Sequence, residues 1–203
     1  MKTSVLTAIM VVCCVALGAA QTQPDTTATG KKKTKLGFYV GPTVKFSHMA
    51  SQFGMSVGGQ AALIINKHFA VGAFGNRLVT KSLFNAIDPV TETNTKMELE
   101  MIQYGLSFEY AYQPVSFIRL SADLPAGFGN TWIERAEDDS RVERSTMLSL
   151  EPRLNVGFVI AKHINIGLFG GYQFTFINNK DFHFSNKDLS SFEYGVHLKI
   201  GLL

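Results

Sequence analysis

Cysteine is nearly absent, with 2 among 203 residues, Cys13 and Cys14. Both fall in residues 1–20, which read as a secretory signal peptide. Lys2 supplies a positive start, residues 5–17 are almost wholly apolar, and Gly18-Ala19-Ala20 offers small residues for cleavage before Gln21. Val12 and Cys13 are poor neighbours for a lipid-modified cysteine, so lipidation is not expected. The mature chain then carries no cysteine, which excludes a disulfide, a thiol nucleophile and a cysteine zinc site. A second absence is any further long apolar run: none approaches the roughly 20 residues of a membrane-spanning helix. A third is an excess of one charge. Nineteen Lys+Arg oppose 16 Asp+Glu, and loss of Lys2 leaves a near-neutral chain with no reason to bind nucleic acid. The histidines at 48, 68, 163, 183 and 197 lack the spacing of a metal site, and no cofactor is expected.

What is present is alternation. Phe192, Tyr194, Val196, Leu198, Ile200 and Leu202 share one parity, and Glu193, Gly195, His197, Lys199 and Gly201 the other. A strand sends successive side chains to opposite faces, so this segment has one apolar face and one charged or small face. The pattern recurs over 36–47, 55–65, 69–79, 97–112, 117–129, 147–160 and 164–177, which predicts eight strands with the C-terminal one. The connectors 66–68, 113–116 and 161–163 are tight. Those at 48–54, 80–96, 133–145 and 178–190 are mostly longer and polar. Short turns on one rim, long loops on the other and an even strand count predict an all-β, eight-stranded antiparallel up-and-down transmembrane barrel. It occupies residues 36–203, after a polar, basic tether at 21–35 whose lysines would meet lipid headgroups or water. Both termini are then periplasmic. An internal echo, Lys67-His68 with Val71-Gly72 and Phe74-Gly75 against Lys162-His163 with Ile166-Gly167 and Phe169-Gly170, falls on two of the hairpins.

If the apolar parity faces outward, the inward charges are Lys45, Glu109, Arg119, Asp123, Glu151, Arg153, Glu193 and Lys199, four basic and four acidic. A soluble barrel would not aim eight charges at its core, because an unpaired buried charge costs several kcal/mol or more. Eight strands leave an interior just filled by side chains, so these groups are expected to pair and plug the lumen. A three-residue turn centred on Pro114 would set Glu109 opposite Arg119, with Phe108–Leu120 and Tyr110–Ile118 outside. Asp123–Arg153 and Lys45–Glu193 are the other expected pairs. Outside, Trp132, Phe128, Tyr172 and Phe174 should form an aromatic girdle near the long-loop end. Arg77 there could contact lipopolysaccharide phosphates or snorkel into water.

Gly37-Phe38-Tyr39-Val40-Gly41, Val71-Gly72-Ala73-Phe74-Gly75 and the alternating C-terminal strand resemble the small eight-stranded outer-membrane barrels of the OmpA-transmembrane-domain and OmpX type, over residues 36–203. The resemblance implies a Gram-negative outer membrane, contact with its lipids and lipopolysaccharide, insertion by the barrel-assembly machinery, and a monomer. The family's C-terminal strand typically ends in Phe; this one ends Gly201-Leu202-Leu203. No peptidoglycan-binding domain is expected after it. The function expected is a structural or surface-interaction role, with an unidentified ligand bound by the long loops. A second reading is an enzyme: Asp181-Phe182-His183-Phe184-Ser185-Asn186 and Glu193 resemble the His-x-Ser-Asn and downstream Glu of lipid A deacylases of the PagL type. There imidazole would activate the Ser185 hydroxyl and Glu193 orient the ring. Lys187-Asp188 departs from that family's Ala-Gly, and the stretch falls in an expected loop. A third reading is a narrow channel.

Overall fold

The computed structural model of the protein describes residues 34–49, 52–80, 82–87, 94–135, 140–178 and 183–202. The expected signal peptide, both cysteines, almost all of the tether and Asp181 lie outside the described residues. Among the described residues ten strands form: β1 (Leu36–Met49), β2 (Gln52–Ile65), β3 (Phe69–Leu78), β4 (Ser82–Ile87), β5 (Asn94–Val115), β6 (Ile118–Arg135), β7 (Arg141–Leu150), β8 (Arg153–Ala161), β9 (Ile164–Ile177) and β10 (Ser191–Leu202). A single helical turn, α1 (Asn186–Leu189), precedes β10.

Each strand forms because its alternating apolar residues coat one face. On β9, Ile164, Ile166, Leu168, Phe174 and Phe176 are exposed while Asn165, Phe169, Gln173 and Thr175 between them are buried. Pairing runs antiparallel from β1 through β2, β3, β5, β6, β7 with β8, β9 and β10, and β10 returns to β1 with Val44 opposite Val196. The ring therefore closes with eight members, as the alternation predicts, and closure leaves no edge in the wall. β7 and β8 act as one member. Leu150 faces Ala126 and Arg153 faces Asp123 in an unbroken register on β6, so only Glu151 and Pro152 interrupt the strand. Proline has no N–H, so Tyr172 N–H donates to the Pro152 carbonyl at 3.2 Å but nothing returns.

Three expectations about the strands and connectors change. The strand expected at 147–160 starts earlier, at Arg141. The expected long connector at 48–54 is almost all strand, since β1 runs to Met49 and β2 starts at Gln52. The expected loop at 80–96 contains β4, which pairs with the outer end of β5, Phe84 opposite Met97. Polar, mixed sequence hid both, because backbone pairing continues above the apolar band where side chains need no alternation.

The turn rim explains the internal echo. Asn66 and Lys67 have φ of 54° and 67°, and His68 N–H donates to the Ile65 carbonyl, a tight hairpin turn of the mirror-image type. His68 then clasps one residue of β5: its carbonyl accepts the Ala111 N–H at 2.6 Å, and its ring Nδ1–H donates to the Ala111 carbonyl at 3.1 Å. His163 does the same with Gly201 of β10, at 2.9 and 3.1 Å. Each Lys-His turn thus fastens to the next strand.

Candidate functional site: the charged interior

All eight inward charges expected from parity are buried, none more than 7% exposed. Meanwhile Leu154, Phe192, Leu63 and Phe128 on the outer wall are each at least 65% exposed. The polar side chains fall into two groups. In the group nearer the long loops, Lys45 Nζ lies 3.0 Å from Glu193 and 3.2 Å from Glu151. It also donates to the side-chain carbonyls of Gln173 at 2.9 Å and Gln103 at 3.3 Å. Arg153 completes the group by pairing with both Glu151 and Glu193. Two cations therefore share two carboxylates, and bonds from β1, β5, β8, β9 and β10 converge on one point of the lumen. In the group nearer the tight turns, Glu109 accepts from Lys199 Nζ and from the Tyr39 hydroxyl, each at 2.6 Å. Lys199 also lies 4.8 Å from the Tyr39 ring, a cation–π contact.

Glycines on the inward parity make room for these groups. A Cβ at Gly167 would fall 2.5 Å from His197 Nε2, and one at Gly195 would fall 2.6 Å from Phe169 Cζ. The Arg153 guanidinium in turn lies 4.8 Å over the Phe169 ring. Toward the long loops the interior becomes apolar. Met49, Leu78, Met101 and Met147 form one cluster; Met97, Leu99, Ile133 and Leu189 form another, against which Phe84, Val142, Ile177 and Phe184 pack. Leu189 is held over the lumen because α1 is strapped to β9: Thr175 Oγ1 donates to the Leu189 carbonyl, and Ile177 N–H to Asn186 Oδ1.

The expected partners need correction. Glu109 faces Asp123, not Arg119, because the turn falls at Ser116-Phe117 and a bulge between Tyr112 and Val115 absorbs Pro114. The strands slide by four positions relative to the expected register. Phe108 meets Leu124, Tyr110 meets Ala122 and Leu120 meets Tyr112. An even slide keeps every side chain on its face and changes every partner. Asp123 does face Arg153, yet the Arg153 guanidinium bonds to Glu151 and Glu193. Lys45 and Glu193 are in contact, as stated above. Sequence reading passed over Tyr39, Gln103 and Gln173; each sits on the inward parity, and that parity was the signal available.

On the outer wall, Arg77 is exposed and pairs with Glu100 at 3.0 Å. It borders a cleft of about 860 Å³ that Glu98, Glu134 and Arg141 also line. Trp132 is only 8% exposed because Arg141 stacks over it at 5.1 Å, so it does not join the girdle. Phe128, Phe174 and Phe192 are exposed there, with Tyr172 packed between Phe174 and Phe192 at 4.7 and 5.0 Å.

The deacylase residues are not brought together. Ser185 precedes α1, and both its hydroxyl and its N–H donate to Asp188, at 2.7 and 2.8 Å. Those bonds hold the Asp188 carboxyl below its ordinary range. The His183 ring stacks on Phe84 at 5.4 Å, and Glu193 is inside the barrel with Lys45 and Arg153. No imidazole–hydroxyl contact exists between His183 and Ser185 among the described residues. Nor do three or more His, Cys, Asp or Glu side chains gather in a metal-binding arrangement among them.

No family model and no curated protein matches this chain. Solved structures do. The chain is similar to Neisserial surface protein A, with TM-score 0.57 and 12% identity over 83% of this chain and 99% of that one. It is similar also to the N-terminal β-barrel domain of Pseudomonas aeruginosa OprF (TM-score 0.51, 9% identity, 83% and 99% covered). A third is Ail of Yersinia pestis (TM-score 0.50, 10% identity, 84% and 99% covered). The fold is that of the small outer-membrane β-barrels. At such identities the likeness is one of fold alone. The charge pairing inside this barrel is read from its own residues.

Proposed function

We propose that the protein is a monomeric outer-membrane barrel of a Gram-negative envelope. Its lumen is closed by its own charges, and it works through its loop rim as a structural or surface-interaction protein with no reaction of its own. The observation that carries this reading is the inverted distribution of polarity. Leu, Ile, Phe and Tyr coat the outside, where lipid would replace water at no cost, while eight charges are buried inside. Bonds spanning the lumen from Lys45 and Lys199 support closure, since an ion path would have to break them. The two apolar clusters beneath α1 support closure at the loop end. Its partners are the outer-membrane lipids and lipopolysaccharide around the wall, the barrel-assembly machinery during insertion, and a ligand of the loop rim. Both termini lie on the periplasmic side.

Two measurements test this together. A cysteine placed at Lys187 in α1 should react with an impermeant maleimide on intact cells, and one at Lys162 in a tight turn should react only after lysis. The purified wild type should give no steady conductance in planar bilayers. Labelling at Lys162 alone would invert the barrel, labelling at neither would remove it from the outer membrane, and a steady pore would refute the closed lumen.

A further inference from the structure

One backbone acceptor in the lipid-facing wall is denied its donor by the sequence. A residue in a hydrogen-bonded antiparallel pair aims its N–H and its carbonyl at the same partner. Tyr172 N–H donates to the Pro152 carbonyl at 3.2 Å, so the Tyr172 carbonyl points at the Pro152 nitrogen, which carries no hydrogen. Water would satisfy such a group on a soluble protein. In hydrocarbon it needs a donor from elsewhere.

The wall is indented at the same place. A cleft of about 550 Å³ is lined by Leu124, Pro152, Leu154, Gly170, Tyr172 and Phe192, with Asp123 and Arg153 facing each other across the strands behind it. Gly170 makes the indentation, since a Cβ there would meet nothing nearer than the Glu193 carbonyl at 4.0 Å. Tyr172 and Phe192, edge to face at 5.0 Å, form one bank of the cleft. Leu154, opposite Gly170 on β8 and exposed, forms the other.

Depth selects the occupant. The outward apolar residues of β9 run from Ile164 to Phe176, and Tyr172 falls in the loop-side half of that run. With the loop rim outside the cell, the cleft opens among the acyl chains of the outer leaflet. A plain acyl chain has no donor, and its ester only accepts. A β-hydroxyacyl chain, of the kind lipid A carries, brings a hydroxyl donor on an apolar chain. The cleft offers the complement of both features, an unsatisfied acceptor and apolar banks.

We propose that the cleft at Pro152 seats one β-hydroxyacyl chain of lipid A, whose hydroxyl donates to the Tyr172 carbonyl. The proposal rests on the outer-membrane reading above and adds to it a lipid site on the wall, separate from the loop rim and from Arg77.

The test uses the refolded full chain in zwitterionic detergent and two probes. One is phosphorylated glucosamine carrying two β-hydroxymyristoyl chains; the other is the same compound with two myristoyl chains, so attraction to the headgroup cancels. By native mass spectrometry the hydroxylated probe should bind about tenfold more tightly, the worth of one hydrogen bond in a dry site. Labelling with carbon-13 carbonyl Tyr and nitrogen-15 Gln reports only Tyr112-Gln113 and Tyr172-Gln173, the two Tyr-Gln steps of the chain. The hydroxylated probe should move the Tyr172 carbonyl resonance downfield and leave that of Tyr112 in place. Pro152→Val gives the carbonyl a backbone N–H and should bind both probes alike, while Gly170→Leu fills the indentation and should weaken both. Equal binding of the two probes by the wild type overturns the proposal, as does a Pro152→Val protein that keeps the tenfold preference or a Gly170→Leu protein that binds like the wild type. Self-association of the barrel that Gly170→Leu abolishes would assign the cleft to a second copy and overturn it too. Surface labelling at Lys187 tests the outer-membrane reading by itself, so a failure of lipid discrimination in a barrel that labels as expected counts against the cleft alone.

Discussion

Replacing Lys45 by Met keeps an unbranched side chain, one atom shorter, and removes its charge. In the wild type its ammonium sits 3.0 Å from Glu193 and 3.2 Å from Glu151, with all three side chains no more than 1% exposed. At an effective dielectric of about 20, each contact is worth roughly 5 kcal/mol of Coulomb energy, opposed by several kcal/mol for desolvating each ion. In the variant, Arg153 alone must serve two carboxylates, and one negative charge is left over. The expected net loss is about 3–5 kcal/mol, the usual cost of orphaning a buried charge. Glu193→Gln alone leaves an unmatched cation and should cost a similar amount. The double variant Lys45→Met/Glu193→Gln retains Arg153 with Glu151, a balanced pair, and should recover about 2–3 kcal/mol relative to additivity. Urea unfolding of each barrel from lipid vesicles gives the four free energies. A coupling below about 0.5 kcal/mol would refute the shared-carboxylate arrangement. A single-variant loss below about 1 kcal/mol would mean that water reaches the group and the lumen is not closed there.

Pro152→Val should stabilise the barrel by about 1 kcal/mol, because it returns an N–H to the Tyr172 carbonyl, and a fall in the urea midpoint would count against the ladder argument. The Asp188 carboxyl is held below its ordinary value of 3.8 by Ser185, so its bonds add stability above that value and lose it as pH falls through the lowered one. Proteolytic nicking near α1 should therefore rise at acid pH in the wild type, and Asp188→Asn should show the higher rate already at pH near 7. His183→Ala should leave lipid A acylation unchanged in cells; an acyl chain missing from wild type that returns in the variant would make the protein a deacylase. N-terminal sequencing of the mature protein should begin at Gln21, and a start at Met1 would remove the signal peptide.

Period-two alternation is a local property, since side-chain direction along a strand depends only on the residue's own backbone. The eight inward charges, the outward coat and the tight turns at 66–68 and 161–163 were accordingly legible in the chain, while the third turn falls at Ser116-Phe117 and not around Pro114. So was the Lys-His echo, although its meaning as a clasp to Ala111 and Gly201 needed the neighbouring strands. The loop-side extensions were not legible. At the outer end of β5 the parity inverts: Met97, Leu99 and Met101 are buried inside and alternate with Lys96, Glu98 and Glu100, so the apolar-outward pattern that marks the wall ends there. The candidate site divides the same way: its charged members and the Lys45–Glu193 contact were visible, while its neutral members and its other pairs were not.

By itself, the sequence determined the ring size, the polarity inversion and which residues enter the lumen, because each follows from parity counted along one strand. Only the tertiary structure decided that Glu109 meets Lys199 and Tyr39, that Lys45 is shared among four partners, and that Arg153 turns from Asp123 to Glu151 and Glu193. Register depends on where a turn and a bulge fall, and a slide of four residues past Pro114 leaves parity untouched. Contacts across the lumen depend on closure of β10 against β1, a relation between residues some 150 positions apart that no local pattern encodes.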